Sequence, residues 1–137
     1  MSRVMFASHG GLSKGMKDSV SMIVGDLAKD VETYSLLPGQ NPEDFYQEVL
    51  KEAKESEEQI VILCDIKGGS VHTALSKLAV LDNVMVFSGM NMGLVLDAVM
   101  KGLNGKLELA EANDLIEAAK DGMTVMNGIT SEDDEDF

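Results

Sequence analysis

Two residues, His9 and Asp65, have side chains that could together carry out group-transfer chemistry. A neutral imidazole is a nucleophile at physiological pH, because its ordinary pKa is about 6.5. A carboxylate bonded to one ring nitrogen would fix the tautomer and leave the other nitrogen free to attack. His9 follows the apolar run RVMFAS, and Asp65 ends the apolar run QIVILCD. Taken singly, His9 also fits an ordinary loop histidine and Asp65 a helix cap.

The residues after Asp65 could bind a phosphoryl group. Gly68 and Gly69 permit backbone conformations closed to other residues, and their N–H groups can approach an anion closely. Ser70 adds a hydroxyl donor where a helix is expected to begin. Gly-Gly-Ser alone is a weak signal, because many helices begin this way. Together with His9 and Asp65 it indicates a site for a phosphoryl group on a histidine.

Neighbouring residues are interpreted more simply. Lys67 fits an exposed loop lysine, with neutralisation of a phosphate as the alternative. His72 falls inside the following helix and faces a neighbour or solvent, with contact to the site as the alternative. Cys64 is expected to point into a packed layer as an inert apolar group. Gly10 and Gly11 would serve the backbone geometry around His9.

The periodicity of the chain predicts strands alternating with helices. Strands are predicted at 3–8, 31–36, 59–65 and 83–88, and helices at about 11–28, 42–56, 69–81, 92–103 and 108–121. Asn41, Pro42 and the acids that follow are consistent signals for the start of the second helix. The apolar piece MTVMN, at 123–127, predicts a short closing strand.

This alternation predicts an α/β fold, a flavodoxin-like doubly wound sheet that is mainly parallel, with strand order 2-1-3-4 and helices on both faces. Ligands bind such sheets beyond the carboxyl ends of the strands, where the winding direction reverses. In this order the reversal lies between strands 1 and 3. We therefore expect His9 and Asp65 to meet over one crevice.

The charge balance excludes one class of partner. The 137 residues contain 24 acidic and 11 basic side chains, a net charge of -13, which would repel a nucleic acid. With no Trp, two Tyr and four Phe, few aromatic side chains could stack on bases or a flavin. No cofactor and no metal is expected, since the sequence shows neither a P-loop nor a clustered acidic metal site.

The length predicts one domain, at 1–128. The last seven residues contain five acids, so 129–137 are expected to form a flexible acidic tail. The single cysteine and the lack of a signal peptide or a membrane-spanning apolar run favour a cytoplasmic protein.

The combined motifs resemble the IIA component of mannose-family sugar phosphotransferase systems. The resemblance rests on Ser-His-Gly after the first strand, Asp-x-x-Gly-Gly-Ser after a central strand, and the later VMVFSGMNMGLVLDAVM, and it covers about 3–127. It implies that His9 accepts the phosphoryl group and that Asp65 orients it. Ser70 and the amides of Gly68 and Gly69 would bind the phosphoryl oxygens.

The resemblance also implies partners. Phosphorylated HPr would be the donor and a IIB component the acceptor, and the membrane components IIC and IID would be involved only indirectly. Because the sequence ends in the acidic tail, we expect IIB to be a separate chain. The family forms a homodimer through an exchanged final strand, for which MTVMN is the candidate.

Two departures from the family pattern concern the shape of the site. Many relatives continue Pro-Phe-Asn after Gly-Gly-Ser, where this chain has Val71-His72-Thr73. The later pattern Asn-x-Pro-Met appears here as Asn-Met-Gly-Leu, at 91–94. These changes affect partner preference and the fine shape of the site more than the transfer itself.

Other functions stay open at this point. The nearest is the phosphoryl-transfer subunit of a dihydroxyacetone kinase system, although Asp-x-x-Gly-Gly-Ser favours the sugar system. A signalling or binding module of the same fold fits less well: a receiver domain needs an acidic pair where Ser8 and His9 stand. A flavin module needs stacking aromatic residues, and a hydrolase using Ser70 would lack the G-x-S-x-G turn.

Overall fold

The first apolar run forms an inner strand of a parallel sheet. The computed structural model describes residues 2–128. In it β1 (Arg3–His9) lies between β2 (Glu32–Leu36) and β3 (Ile60–Cys64), and β4 (Val84–Phe87) lies beyond β3. The order β2-β1-β3-β4 confirms the predicted sheet. All five residues of β3 are fully buried, because helices cover both faces of the sheet.

Helices connect the strands at the predicted places. Among residues 2–128 there are five α-helices: α1 (Leu12–Val24), α2 (Pro42–Lys54), α3 (Ser70–Leu75), α4 (Met92–Asn104) and α5 (Leu109–Asp121). Two helices are shorter than predicted. The helix predicted over 11–28 ends at Val24 and the one predicted over 69–81 ends at Leu75, and a 3-10 turn follows each, over Gly25–Ala28 and Ser76–Val80. The predicted start of α2 is confirmed, because the Asn41 side chain accepts the Glu43 N–H at 3.0 Å.

Alternate residues of β1 face two separate apolar cores. Val4 and Phe6 pack with buried residues of α1, α4 and α5. Met5 and Ala7 pack on the opposite face, with buried residues of α2 and α3. The two covered faces hold β1 and β3 side by side, and their carboxyl ends therefore form one rigid edge.

A buried glutamine joins the other end of the sheet to the connection between α4 and α5. Gln59 Oε1 accepts hydrogen bonds from the Ser2 hydroxyl at 2.7 Å and from the Leu107 N–H at 2.8 Å. Its side-chain amide donates to the Leu107 carbonyl at 2.8 Å. One side chain thus satisfies both backbone groups of a buried residue.

The closing strand predicted at 123–127 does not form within the described chain. These residues take part in no strand pairing, and Met123, Val125 and Met126 are 66%, 90% and 79% exposed. A strand exists only beside another backbone edge, and this segment pairs with neither edge of its own sheet. The predicted acidic tail, 129–137, lies outside the described residues.

Candidate functional site

His9 and Asp65 lie together where the winding of the sheet reverses. His9 is the last residue of β1, and Asp65 directly follows β3. The His9 backbone N–H donates to Asp65 Oδ2 at 2.8 Å, and His9 Nδ1 lies 2.8 Å from the same oxygen. The sheet order brings the two side chains together, as the switch-point argument predicts.

The hydrogen bonds around Asp65 fix the tautomer of His9. Burial would raise the pKa of Asp65, but hydrogen bonds from the amide and ring of His9 and from the Ile66 amide outweigh it, so this pKa lies below its usual value. Asp65 is therefore an ionised, acceptor-only carboxylate at neutral pH. In the neutral ring Nδ1 must carry the proton, which leaves the lone pair on Nε2.

The free nitrogen of His9 faces a hydroxyl and the solvent. His9 Nε2 lies 3.0 Å from Ser70 Oγ, and with the tautomer above the hydroxyl donates to the ring. The His9 side chain is 47% exposed, whereas that of Asp65 is 9% exposed. A partly buried carboxylate thus supports a nucleophilic nitrogen that a partner molecule can reach.

The turn between β3 and α3 is held by its own hydrogen bonds. The Gly68 N–H donates to His72 Nδ1 at 3.1 Å, and the Gly69 N–H donates to the Ile66 carbonyl at 3.2 Å. The two amides that the sequence predicts as phosphate donors therefore have acceptors within the turn. To donate to phosphoryl oxygens, each amide would have to leave its present acceptor, His72 Nδ1 or the Ile66 carbonyl.

The two glycines of this turn serve different purposes. Gly68 has φ +80°, a conformation that side chains disfavour. Gly69 has an ordinary extended backbone, φ −68° and ψ 166°. A Cβ added at Gly69 would nevertheless lie 2.7 Å from Ile66 Cγ2 and 3.2 Å from His9 Cε1. The second glycine is thus needed for space, since the turn packs directly against the His9 ring.

The other candidate residues take separate places. Lys67 is exposed, in agreement with an ordinary loop lysine. Cys64 is fully buried in a packed layer, as predicted, and burial together with the nearby Asp65 charge raises its pKa to about 12, so little thiolate is present at neutral pH. His72 is half-buried, and its Nδ1 accepts the N–H of Gly68, a residue of the turn that the sequence predicts to bind a phosphoryl group.

Three exposed aliphatic side chains around His9 were not predicted as part of the site. Leu12, Leu37 and Ile66 are 50%, 51% and 59% exposed, and each stands within three residues of the carboxyl end of β1, β2 or β3. We call these three residues the apolar rim. Their signal in the sequence is an apolar residue in a loop or at a helix start, just after a strand, where polar residues are usual.

Two further features concern the described part of the chain. Within residues 2–128 no helix has the length and apolar character needed to cross a membrane. In the same part, no group of three or more His, Cys, Asp or Glu side chains is arranged to hold a metal ion.

Known structures of similar fold come from several bacteria. A IIA protein associated with the fucose utilization operon of Streptococcus pneumoniae is 26% identical, with a TM-score of 0.72 over 91% of this chain and 96% of that one. A phosphotransferase system component EIIA from Streptococcus agalactiae is 21% identical and shares the fold, with a TM-score of 0.78 over 91% and 97% of the two chains.

Sequence comparison assigns the family. The family model described as "PTS system fructose IIA component" matches residues 3–119. A sorbose-specific EIIA component of a phosphotransferase system from Klebsiella pneumoniae is 32% identical over 101 residues, which are 72% of this chain and 73% of the relative. With a matching fold and these sequence matches, the chain belongs to the mannose-family IIA components of sugar phosphotransferase systems.

Proposed function

We propose that this protein carries a phosphoryl group on Nε2 of His9, taking it from phosphorylated HPr and passing it to a IIB component. The observation that carries the proposal is the arrangement of the His9 ring. Asp65 binds Nδ1 at 2.8 Å, and Nε2 has its lone pair toward Ser70 and an accessible surface. The proposal includes a cytoplasmic location, which the sequence also favours.

The transfer step follows from these contacts. The Nε2 lone pair attacks phosphorus in line with the phosphorus–nitrogen bond of phosphohistidine on HPr. That bond breaks, and its electron pair returns to the donor ring. The His9 ring becomes positively charged while Nδ1–H stays bonded to Asp65, whose carboxylate stabilises the charge. The reverse displacement passes the group to the IIB component.

We propose that the Ser70 hydroxyl changes its hydrogen-bond acceptor when the phosphoryl group is bound. Its hydroxyl donates to Nε2 in this structure, and that lone pair is consumed when the bond to phosphorus forms. The hydroxyl can then turn to a phosphoryl oxygen a short distance away. We extend the same role to the Gly68 and Gly69 amides, each of which would leave its present acceptor.

The apolar rim supports docking of protein partners over His9. Leu12, Leu37 and Ile66 expose about half of their side chains around the nucleophile. Apolar surface around a reactive group is suited to a partner protein that covers it briefly and excludes water. Since donor and acceptor must both reach Nε2, the two complexes would use this rim in turn.

Phosphorylation and mass measurement test the carrier role. The protein is incubated with phosphoenolpyruvate, enzyme I and HPr, and its intact mass is recorded at neutral to alkaline pH. We expect one acid-labile phosphoryl group on the native chain and none on His9→Ala. The matched control His72→Asn changes the other histidine of the chain and should still be phosphorylated. No addition to the native chain, with HPr shown to be phosphorylated, would overturn the proposal.

The acceptor is identified in a second step. The phosphorylated protein is mixed separately with a IIB component and with the nucleotide-binding subunit of a dihydroxyacetone kinase system. Transfer to IIB alone supports the sugar system. Transfer to the kinase subunit alone would replace the proposed acceptor while leaving the His9 carrier role intact.

We also propose a homodimer in which residues 123–127 of one copy pair with the outer edge of β4 of the other. Two features support it: the exposed apolar side chains of this segment, and the unpaired edge of β4 within residues 2–128. Sedimentation at micromolar concentration should show a dimer that Val125→Asp weakens. Met22→Asp is the matched control, because Met22 is similarly exposed (85% against 90%) but lies on α1, which packs against β1 and β2. A native monomer would reject this arrangement.

A further inference from the structure

Two consecutive side chains of α3 hold the Gly68 peptide. Its N–H donates to His72 Nδ1 at 3.1 Å, and its carbonyl accepts a hydrogen bond from Thr73 Oγ1 at 3.3 Å. Because a backbone N–H can only donate, Nδ1 of His72 is the unprotonated nitrogen and Nε2 carries the proton. His72 is half-buried and Thr73 is exposed, so water competes less for the bond to the histidine.

The held peptide leads directly to the His9 ring. Gly68 has φ +80°, and glycine has many other conformations available when nothing fixes it. The next residue, Gly69, lies close to His9: a Cβ added at Gly69 would be only 3.2 Å from Cε1 of the ring. Ser70 then places its hydroxyl 3.0 Å from Nε2. A rotation at Gly68 would therefore displace the Ser70 hydroxyl from Nε2 and move the Gly69 backbone that lies beside the ring.

We infer that His72 is a positioning residue: by accepting the Gly68 N–H it holds the turn so that Ser70 stays against Nε2 of His9. The inference deepens the proposed function and rests on it. His72 touches neither the reacting nitrogen nor the incoming phosphoryl group. It acts before the chemical step: it keeps the turn in one conformation until the phosphoryl group arrives, and the Gly68 N–H leaves His72 only once that group is bound.

This arrangement differs from the family pattern. The common continuation Pro-Phe-Asn would place a phenylalanine at position 72, and a phenyl ring cannot accept the Gly68 N–H. The chain carries Val71-His72-Thr73 instead. A phenylalanine at position 72 would therefore leave the Gly68 N–H without this acceptor.

Three substitutions at position 72 separate the hydrogen bond from packing. His72→Ala removes both ring and acceptor, and His72→Phe keeps an aromatic ring of similar size without an acceptor. His72→Asn restores an acceptor, because its Oδ1 can stand about where Nδ1 stands in histidine. The rate of phosphoryl transfer from HPr is measured for each, at limiting and saturating HPr, with thermal unfolding to establish that the variants are folded.

We expect about a tenfold lower maximal rate for His72→Ala and His72→Phe, and a rate within about threefold of the native one for His72→Asn. The HPr concentration for half-maximal rate should stay unchanged, because the apolar rim is intact. Native rates in the alanine and phenylalanine variants would overturn the inference. So would an asparagine variant as slow as the alanine variant.

A measurement without phosphoryl transfer keeps this inference distinct from the proposed function. In ¹⁵N-¹H spectra of the unphosphorylated protein, His72→Ala should move the resonances of the Gly68 amide and the His9 ring, and His72→Asn should largely restore them. Unchanged His9 resonances in His72→Ala would refute the positioning role. A native chain that takes no phosphoryl group would instead refute the proposed function.

Discussion

Replacement of Gly69 by alanine adds one methyl group beside the proposed nucleophile. The Gly69 backbone, at φ −68° and ψ 166°, suits alanine without strain. The effect of the change is therefore steric. The new Cβ would meet Ile66 Cγ2 at 2.7 Å and His9 Cε1 at 3.2 Å, against an ordinary contact of 3.4–4 Å.

These distances set the size of the displacement. Relief of the Ile66 contact needs a movement of 3.4 − 2.7 = 0.7 Å, and relief of the His9 contact needs 3.4 − 3.2 = 0.2 Å. Ile66 is exposed and can give way in part, but the His9 ring is tied to Asp65 at 2.8 Å. We expect a cost of about 1–2 kcal/mol in the free energy of unfolding. Since shifts of this size misalign reacting atoms, transfer should slow by about tenfold.

Gly11→Ala is the matched control for this prediction. Gly11 also lies near His9, its φ is −85°, and a Cβ there would meet no atom within 4 Å. Transfer rates from phosphorylated HPr and urea unfolding are measured for both variants, with the His9 ring followed by ¹⁵N NMR. Gly11→Ala should stay within about twofold of the native rate. A native rate and unchanged His9 resonances in Gly69→Ala would refute the steric reasoning.

Three further predictions concern stability and reactivity. The folded-state pKa of Asp65 lies below its ordinary value, so the stability that its carboxylate contributes is present above about pH 4 and is lost as the pH falls through that lower pKa. Urea titrations at several pH values should show that Asp65→Asn is less stable than the native protein at neutral pH. Below about pH 4 the stability of the variant should change less with pH than that of the native protein. Gln59→Leu leaves the buried N–H and carbonyl of Leu107 without partners and should lower the free energy of unfolding by about 3 kcal/mol, unlike the control Gln47→Leu at an exposed position of α2. Cys64, with a pKa of about 12 and no exposed surface, should react with a thiol reagent only after unfolding, and reaction at native conditions would contradict its placement.

Most elements of the fold could be predicted from local patterns. Consecutive apolar residues marked β3 as a strand covered on both faces, and Asn41-Pro42 marked the start of α2. The end of α3 was placed too late, because a helical pattern does not distinguish an α-helix from a following 3-10 turn. Periodicity could not decide whether 123–127 forms a strand, because a strand also needs a neighbouring backbone edge to pair with, and the segment's own sequence does not reveal one.

The sequence by itself determined the types of chemistry available: a histidine after one strand, an aspartate after another, and Gly-Gly-Ser at a helix start. Only the tertiary structure decided how these groups are used. Parallel pairing of β1 with β3 brings His9 to Asp65 and fixes the tautomer through one shared oxygen, while the packed turn directs the Gly68 amide to His72. Hydrogen-bond direction and steric contact depend on distances of a few tenths of an ångström between residues far apart in the chain, and no local sequence pattern encodes them.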